Sequence, residues 1–190
     1  MRTVCVYCSS SNRVAEPYVQ ATRDVAAQIV ANGYELIYGG ADAGLMGLVA
    51  SEVKRLGGRV IGVIPEKLAD KGIAWKGADE CVITRDMRER KRIMDECSDA
   101  VITLPGGFGT LEEVLEIITL KQLQYHNKPI VLLNTLGFFD DLIRLFSRMF
   151  DENFAYSEFR NLYFVAANAV DALRYVREYI PPKPIEKWGG

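Results

Sequence analysis

The stretch that most constrains this chain is Pro105-Gly106-Gly107-Phe108-Gly109-Thr110-Leu111-Glu112-Glu113. Asp99 through Leu104 precedes it as a short apolar run and predicts a buried strand. Val114 to Gln124 follows it with apolar residues at helical spacing. A strand, a glycine turn and a helix in that order point to an α/β chain. Three glycines let a ligand come close to the backbone, because no Cβ stands in the way. The unpaired N–H groups of the helix's first turn, with the helix dipole, favour an anion such as phosphate. Glu113 is expected beside that anion, where a carboxylate is misplaced for binding phosphate. It is well placed to act on whatever the phosphate carries. The same residues also fit a capping box, with Thr110 as N-cap and Glu113 reaching back to its N–H. The stretch by itself leaves both readings open.

The rest of the chain repeats the alternation. Strands are predicted over Thr3–Tyr7, Glu35–Tyr38, Arg59–Ile64, Glu80–Thr84, Pro129–Leu133 and Leu162–Val165. Helices are predicted over Ala15–Ala31, Leu45–Leu56, Asp86–Cys97, Phe138–Phe150 and Ala169–Tyr179. Glu66 to Asp79 has no clear period and is expected to be a loop. Pro181-Pro182-Lys183-Pro184 closes a single domain over 1–180, and 181–190 is expected to form an extended tail. Alternating strands and helices give a Rossmann-like, doubly wound parallel sheet with helices on both faces. Ligands of such sheets bind beyond the carboxyl ends of the strands. Ser9-Ser10, Gly39-Gly40, the start of the Met87 helix and the Gly106 turn all follow strand ends. They are expected to meet at one edge of the sheet.

Composition narrows the function. With 190 residues there is room for one sizeable core. A net charge of −2 gives no reason to expect a nucleic-acid polymer or an anionic membrane as partner. No apolar run is long enough to span a bilayer, and Thr3 enters a strand without a secretory leader, so a cytoplasmic protein is expected. Cys5 and Cys8 form a C-x-x-C, but no second pair accompanies it and His126 is the one histidine. Buried strand thiols are the favoured reading, and a multi-histidine metal site or a Ser-His-Asp triad is disfavoured. The first strand is followed by Ser9-Ser10-Ser11 rather than G-x-G-x-x-G, and the second ends in Gly39-Gly40 rather than an acidic ribose binder. Both features count against nicotinamide dinucleotides.

Arg85 to Arg92 has the look of a solvated charge run, but helical geometry separates its members. Arg90, Ile93, Met94 and Cys97 fall on one face, so Arg90 is expected on the inward stripe. A buried guanidinium needs an anion, from the protein or from a ligand.

Pro105-Gly106-Gly107-x-Gly109-Thr110-x-x-Glu113 resembles the signature PGGxGTxxE of the Lonely Guy family. Met87-Arg88-Glu89-Arg90-Lys91 is similar to that family's MxxRK, and Gly39-Gly40 with Gly44-Leu45-Met46-Gly47 to its glycine turn and GLMG. The matches stand in family order over roughly residues 2 to 180. One departure is Cys8 where the family has glycine before its serines. The resemblance implies a cytokinin riboside 5′-monophosphate phosphoribohydrolase, which frees the base from a nucleoside monophosphate. It implies Arg90 and Glu113 as catalytic residues. It implies substrate contacts from Ser10, Gly40, Gly44, Met87, Arg90, Lys91, Gly106, Gly107, Phe108, Gly109, Thr110, Leu111, Glu112 and Thr119. No metal or organic cofactor is expected, and a homodimer is, also because Phe138–Phe150 is more apolar than one buried stripe needs. The alternative is a nucleotide or molybdopterin carrier using the same turn without turnover. Such a carrier needs the turn but not the Arg90–Glu113 pair.

Overall fold

Strand β1 (Thr3–Tyr7) is buried at every position. A strand with no polar alternation must be covered on both faces, which is the condition of a central parallel strand. The computed structural model, which describes residues 3–182, places β1 in that position. The other strands are β2 (Glu35–Tyr38), β3 (Val60–Pro65), β4 (Glu80–Thr84), β5 (Ala100–Thr103), β6 (Ile130–Leu133) and β7 (Phe164–Ala166). They form one seven-stranded sheet in the order β4-β3-β2-β1-β5-β6-β7, with every pairing parallel.

The order reverses between β1 and β5. The chain winds outward from β1 through β2, β3 and β4, then returns to the other side of β1 at β5. Helices α1 (Glu16–Ala31), α2 (Gly44–Arg55) and α7 (Ala169–Glu178) bury their apolar stripes in one core cluster, with Ile29, Val49 and Leu173 at its centre. Helices α4 (Met87–Glu96), α5 (Phe108–Gln122) and α6 (Asp140–Asp151) cover the other face through Met94, Ile117 and Phe146. Cys5 belongs to the second cluster and Cys8 to the first, and both are free buried thiols. The C-x-x-C is thus divided between the two faces of the sheet.

Several boundaries depart from the sequence reading. Glu66 to Asp79 is not loop throughout, since it contains a one-turn helix, α3 (Glu66–Ala69), and an antiparallel bridge between Ala41 and Ala74. Four residues are too few to show a period. Phe138 and Phe139 lie outside α6; Phe139 is buried, whereas Phe138 and Leu145 stay substantially exposed. Residues 157–162 form a 3-10 turn, which moves the last strand to Phe164. Cys97 ends α4 in an exposed position instead of continuing its inward stripe. The tail expectation for 183–190 lies outside the described residues.

Lys121, on the last turn of α5, is 4% exposed, and its Nζ has no hydrogen-bond partner. The ammonium stands 4.8 Å from the ring centre of Tyr179. Burial lowers its pKa from 10.5 to about 8. Below pH 8 the folded state therefore carries a desolvated charge that the unfolded chain keeps hydrated. Between about pH 8 and 10.5 the unfolded state binds more protons, so this group makes stability rise with pH. Lys121→Met, similar in length and uncharged, should raise the melting midpoint at pH 7 by about 2–4 °C. The gap from the parent protein should narrow between pH 8 and 10. Thermal melts at pH 7, 8.5 and 10 measure both effects, and a gap that widened with pH would contradict them.

Candidate active site

In a doubly wound sheet the loops after the two strands that flank the reversal diverge and leave a crevice. Here those strands are β1 and β5, paired up to Tyr7 and Thr103. The chain beyond them, Cys8 to Ser11 and Gly107 to Thr110, lines opposite sides of a cavity of about 610 Å³. Ala41, Ala43, Met46, Leu68, Ile73 and Met87 contribute to its apolar lining. Arg90 and Glu113 reach it from α4 and α5.

The α5 N-terminus faces this cavity without a cap of its own. Gly107 is the N-cap residue, and it has no side chain to offer the first turn. The helical ladder begins with the Leu111 N–H, which donates to Gly107 O at 3.0 Å. The N–H groups of Phe108, Gly109 and Thr110 have no acceptor within the helix. A Cβ added at Gly107 or Gly109 would meet nothing within 4 Å, so internal packing does not account for glycine there. Gly106 differs, because a Cβ would stand 2.1 Å from Thr110 Oγ1. Thr110 is the third helical residue and not the N-cap, so the capping box is not formed. Glu113 lies in the second turn, about 4.5 Å along the axis from Thr110.

Instead of capping, Glu113 accepts a hydrogen bond from Arg90. The Nη1 to Oε1 distance is 2.6 Å, and the two residues are 5% and 8% exposed. Arg90 Nε donates to Val63 O at 3.1 Å, which fixes the guanidinium against the end of β3. Asp86 sets the start of α4, its Oδ1 accepting from the Arg88 and Glu89 N–H groups at 2.8 and 2.9 Å. Burial raises the pKa of Glu113, and the Arg90 charge opposes that rise. Burial likewise raises the pKa of Cys5, Tyr7 and Cys8, with the Glu113 charge adding to each. The site thus holds a buried carboxylate and guanidinium beside an uncapped helix end. That combination can bind an anion and stabilise positive charge a few ångströms away.

The family model described as "Possible lysine decarboxylase" matches residues 46–176. A cytokinin riboside 5′-monophosphate phosphoribohydrolase of Arabidopsis thaliana is 41% identical over 180 residues, covering 95% of this chain and 84% of its own. The chain belongs to the Lonely Guy family. A probable phosphoribohydrolase of the same name from Oryza sativa subsp. japonica is 41% identical over 178 residues, covering 94% of this chain and 77% of its own. Among solved structures, the molybdenum cofactor carrier protein of Chlamydomonas reinhardtii superposes with a TM-score of 0.72 at 24% identity. That match covers 93% of this chain and 96% of the carrier. The molybdenum cofactor binding protein of Rippkaea orientalis gives 0.70 at 21%, covering 93% and 95%. At those identities the two structures show a shared fold.

The fold distributes the Lonely Guy motif residues unevenly. Ser10, Met87, Arg90, Gly107, Phe108, Gly109, Thr110 and Glu113 line the cavity. Gly40 and Gly44 do not line it. The Gly44 N–H donates to Asn12 Oδ1 at 2.7 Å and the Leu45 N–H to Ser9 O at 2.9 Å, so the start of α2 is occupied by the chain's own serine turn. Lys91 pairs with Glu112 and with Glu116, and Thr119 is exposed, donating to Leu115 O at 2.7 Å. Lys91, Leu111, Glu112 and Thr119 do not line this cavity. Lys91 instead borders a smaller cavity of about 200 Å³ between α4 and α5, which touches Glu113 from its other side. Sequence reasoning missed Leu68 and Ile73. Their apolar character within a stretch rich in charged residues was the available signal.

Proposed function

We propose that this chain hydrolyses the N-glycosidic bond of a purine nucleoside 5′-monophosphate, giving free base and ribose 5-phosphate. The observation that carries the reading is the buried Arg90–Glu113 pair one turn above the uncapped start of α5. The relatives named as phosphoribohydrolases support it. In this reading the 5′-phosphate is held by the Phe108, Gly109 and Thr110 amides, which brings C1′ toward Glu113. As the C1′–N bond breaks, its electron pair leaves with the base and positive charge builds on the sugar. The Glu113 carboxylate stabilises that charge and takes a proton from the attacking water, whose oxygen bonds C1′. The proton then goes to the departing base. Arg90, whose guanidinium has donors and no acceptor, serves to orient Glu113 and contact the substrate. A pyridoxal-dependent lysine decarboxylase would need a lysine at its cofactor, and no lysine lines the cavity among the described residues.

The phosphate is the first expectation to test. AMP and isopentenyladenosine monophosphate, incubated with the protein and followed by chromatography, should release free base. The matching nucleosides should react at least about a hundredfold more slowly in kcat/KM, because the helix amides are left without their anion. Equal rates for nucleoside and nucleotide would remove the phosphate role of the turn. The comparison between the two nucleotides also reports whether an N6 substituent is required.

The proposed setting is a cytoplasmic homodimer. No helix among the described residues is long and apolar enough to cross a membrane. Leu115 on α5 and Leu123 just after it, with Phe138 and Leu145 at α6, expose apolar surface suited to a second copy. Light scattering should give twice the 21.3 kDa chain mass, and a monomer at micromolar concentration would contradict it.

A further inference from the structure

We infer that Gly39 is a positioning residue, whose missing side chain makes the space in which the Arg90 guanidinium meets Glu113. This rests on the proposed hydrolysis and extends it to a residue outside the pair. Gly39 follows β2 directly and is buried at the cavity wall. Its neighbour Gly40 has φ +75°, a conformation that requires glycine, but Gly39 is not among the residues with positive φ. The backbone therefore does not explain glycine at position 39.

Space explains it. A Cβ there would lie 1.8 Å from Arg90 Nη2, 2.9 Å from Arg90 Cζ and 2.3 Å from Met46 Cε. The Met46 methyl can swing aside on a flexible chain. Arg90 cannot do so at no cost, because Nε is tied to Val63 O and Nη1 to Glu113. A methyl group at position 39 must push the guanidinium off one partner or both. The groups facing Glu113 are Arg90 and Lys91 from α4, Glu112 from its own helix, and Cys5, Tyr7 and Cys8 from the first strand and its end. Of these, Arg90 has the atoms nearest to a Cβ at position 39.

The experiment compares the parent protein, Gly39→Ala, Arg90→Lys and the double variant on AMP. Gly39→Ala should lower kcat by about a hundredfold, the usual effect of an ångström-scale misplacement, while AMP affinity by calorimetry stays within about threefold. The acid limb of its kcat–pH profile should move to higher pH, because Glu113 loses the charge that opposed its burial. In the Arg90→Lys background Gly39→Ala should cost under about threefold more, since the clashing guanidinium is gone. Gly58→Ala is the control. Its Cβ would also be crowded, 2.7 Å from both Val30 Cγ2 and Val53 Cγ1, but away from the cavity. It should lower the melting midpoint and leave kcat alone. A Gly39→Ala enzyme with kcat within threefold of the parent, or a full hundredfold loss that persists on top of Arg90→Lys, would overturn the inference. If the parent releases no base, the hydrolysis reading fails. The seat for Arg90 is then read from the Arg90 Nε–H resonance, which Gly39→Ala must shift and Gly58→Ala must not; an unshifted resonance would also overturn the inference.

Discussion

Glu113→Gln should lower base release from AMP by about two orders of magnitude or more, while nucleotide affinity stays near that of the parent protein. Glutamine keeps the shape of the side chain and can still accept from Arg90 Nη1, the bond now made at 2.6 Å. What it loses is the negative charge and the ability to take a proton from water. Those are the two properties that a cationic sugar and its hydrolysis demand, and the loss of such a group typically costs this much. In the proposed reading the phosphate is held by backbone amides of the first turn of α5, so binding should survive. Two measurements decide it: single-turnover base release and calorimetry with AMP. Turnover within a few-fold of the parent protein would leave Glu113 as a structural partner of Arg90 only. Because the capping box is not formed, an effect on helix α5 itself is not expected.

Arg90→Ala should abolish detectable turnover and also weaken the fold, by about 3–5 kcal/mol near neutral pH. The change removes a guanidinium that is 5% exposed and leaves the Glu113 carboxylate buried without its partner. It also leaves Val63 O without the donor now at 3.1 Å. The stability deficit should shrink in acid. With Arg90 gone, burial acts on Glu113 without its main opposing charge and lifts its folded pKa further above the unfolded value. The stranded carboxylate then takes up a proton as pH falls, and the folded state regains stability in that direction. Urea unfolding of both proteins at pH 5 and pH 8 tests the sign. A deficit of the same size at both pH values would mean that the loss is one of packing and not of charge pairing. Arg90→Lys keeps a charge but not the fork that reaches Val63 and Glu113 together. It should fold better than Arg90→Ala and remain severely impaired in turnover.

Much of this architecture was legible in the chain. The apolar run of β1 and the glycine after α1 at φ +71° follow from local rules that need no partner from elsewhere, whereas Asp86, expected as the first residue of α4, is its N-cap. Arg90 was legible as an inward residue because its spacing to Met94 is helical, and both are buried. The convergence of the turns after β1, β2 and β5 with the start of α4 followed from the alternation alone, since every parallel strand ends on the same edge. What was not legible lay in segments without a period. Residues 66–79 carry no repeating pattern, yet backbone bonds from Asp42 to Ile73 and from Trp75 to Gly40 fold them over the cavity. Those bonds join positions some thirty residues apart, beyond any local signal.

The sequence by itself determined the order of elements, the glycine-lined start of α5 and the presence of one inward arginine, because these depend on spacing and backbone sterics within a few residues. It did not determine the partner of Glu113. Locally Thr110 and Glu113 fit a capping box, and the tertiary structure decided against it. α5 begins at Phe108, with Gly107 and not Thr110 as its N-cap, and Arg90 arrives from another helix to take the carboxylate. The structure likewise decided why position 39 is glycine, since the guanidinium that fills its side-chain space comes from fifty-one residues further along the chain. A charge brought into a buried cavity by a distant helix outweighs a local capping bond, because a buried carboxylate without a cation is the costlier state.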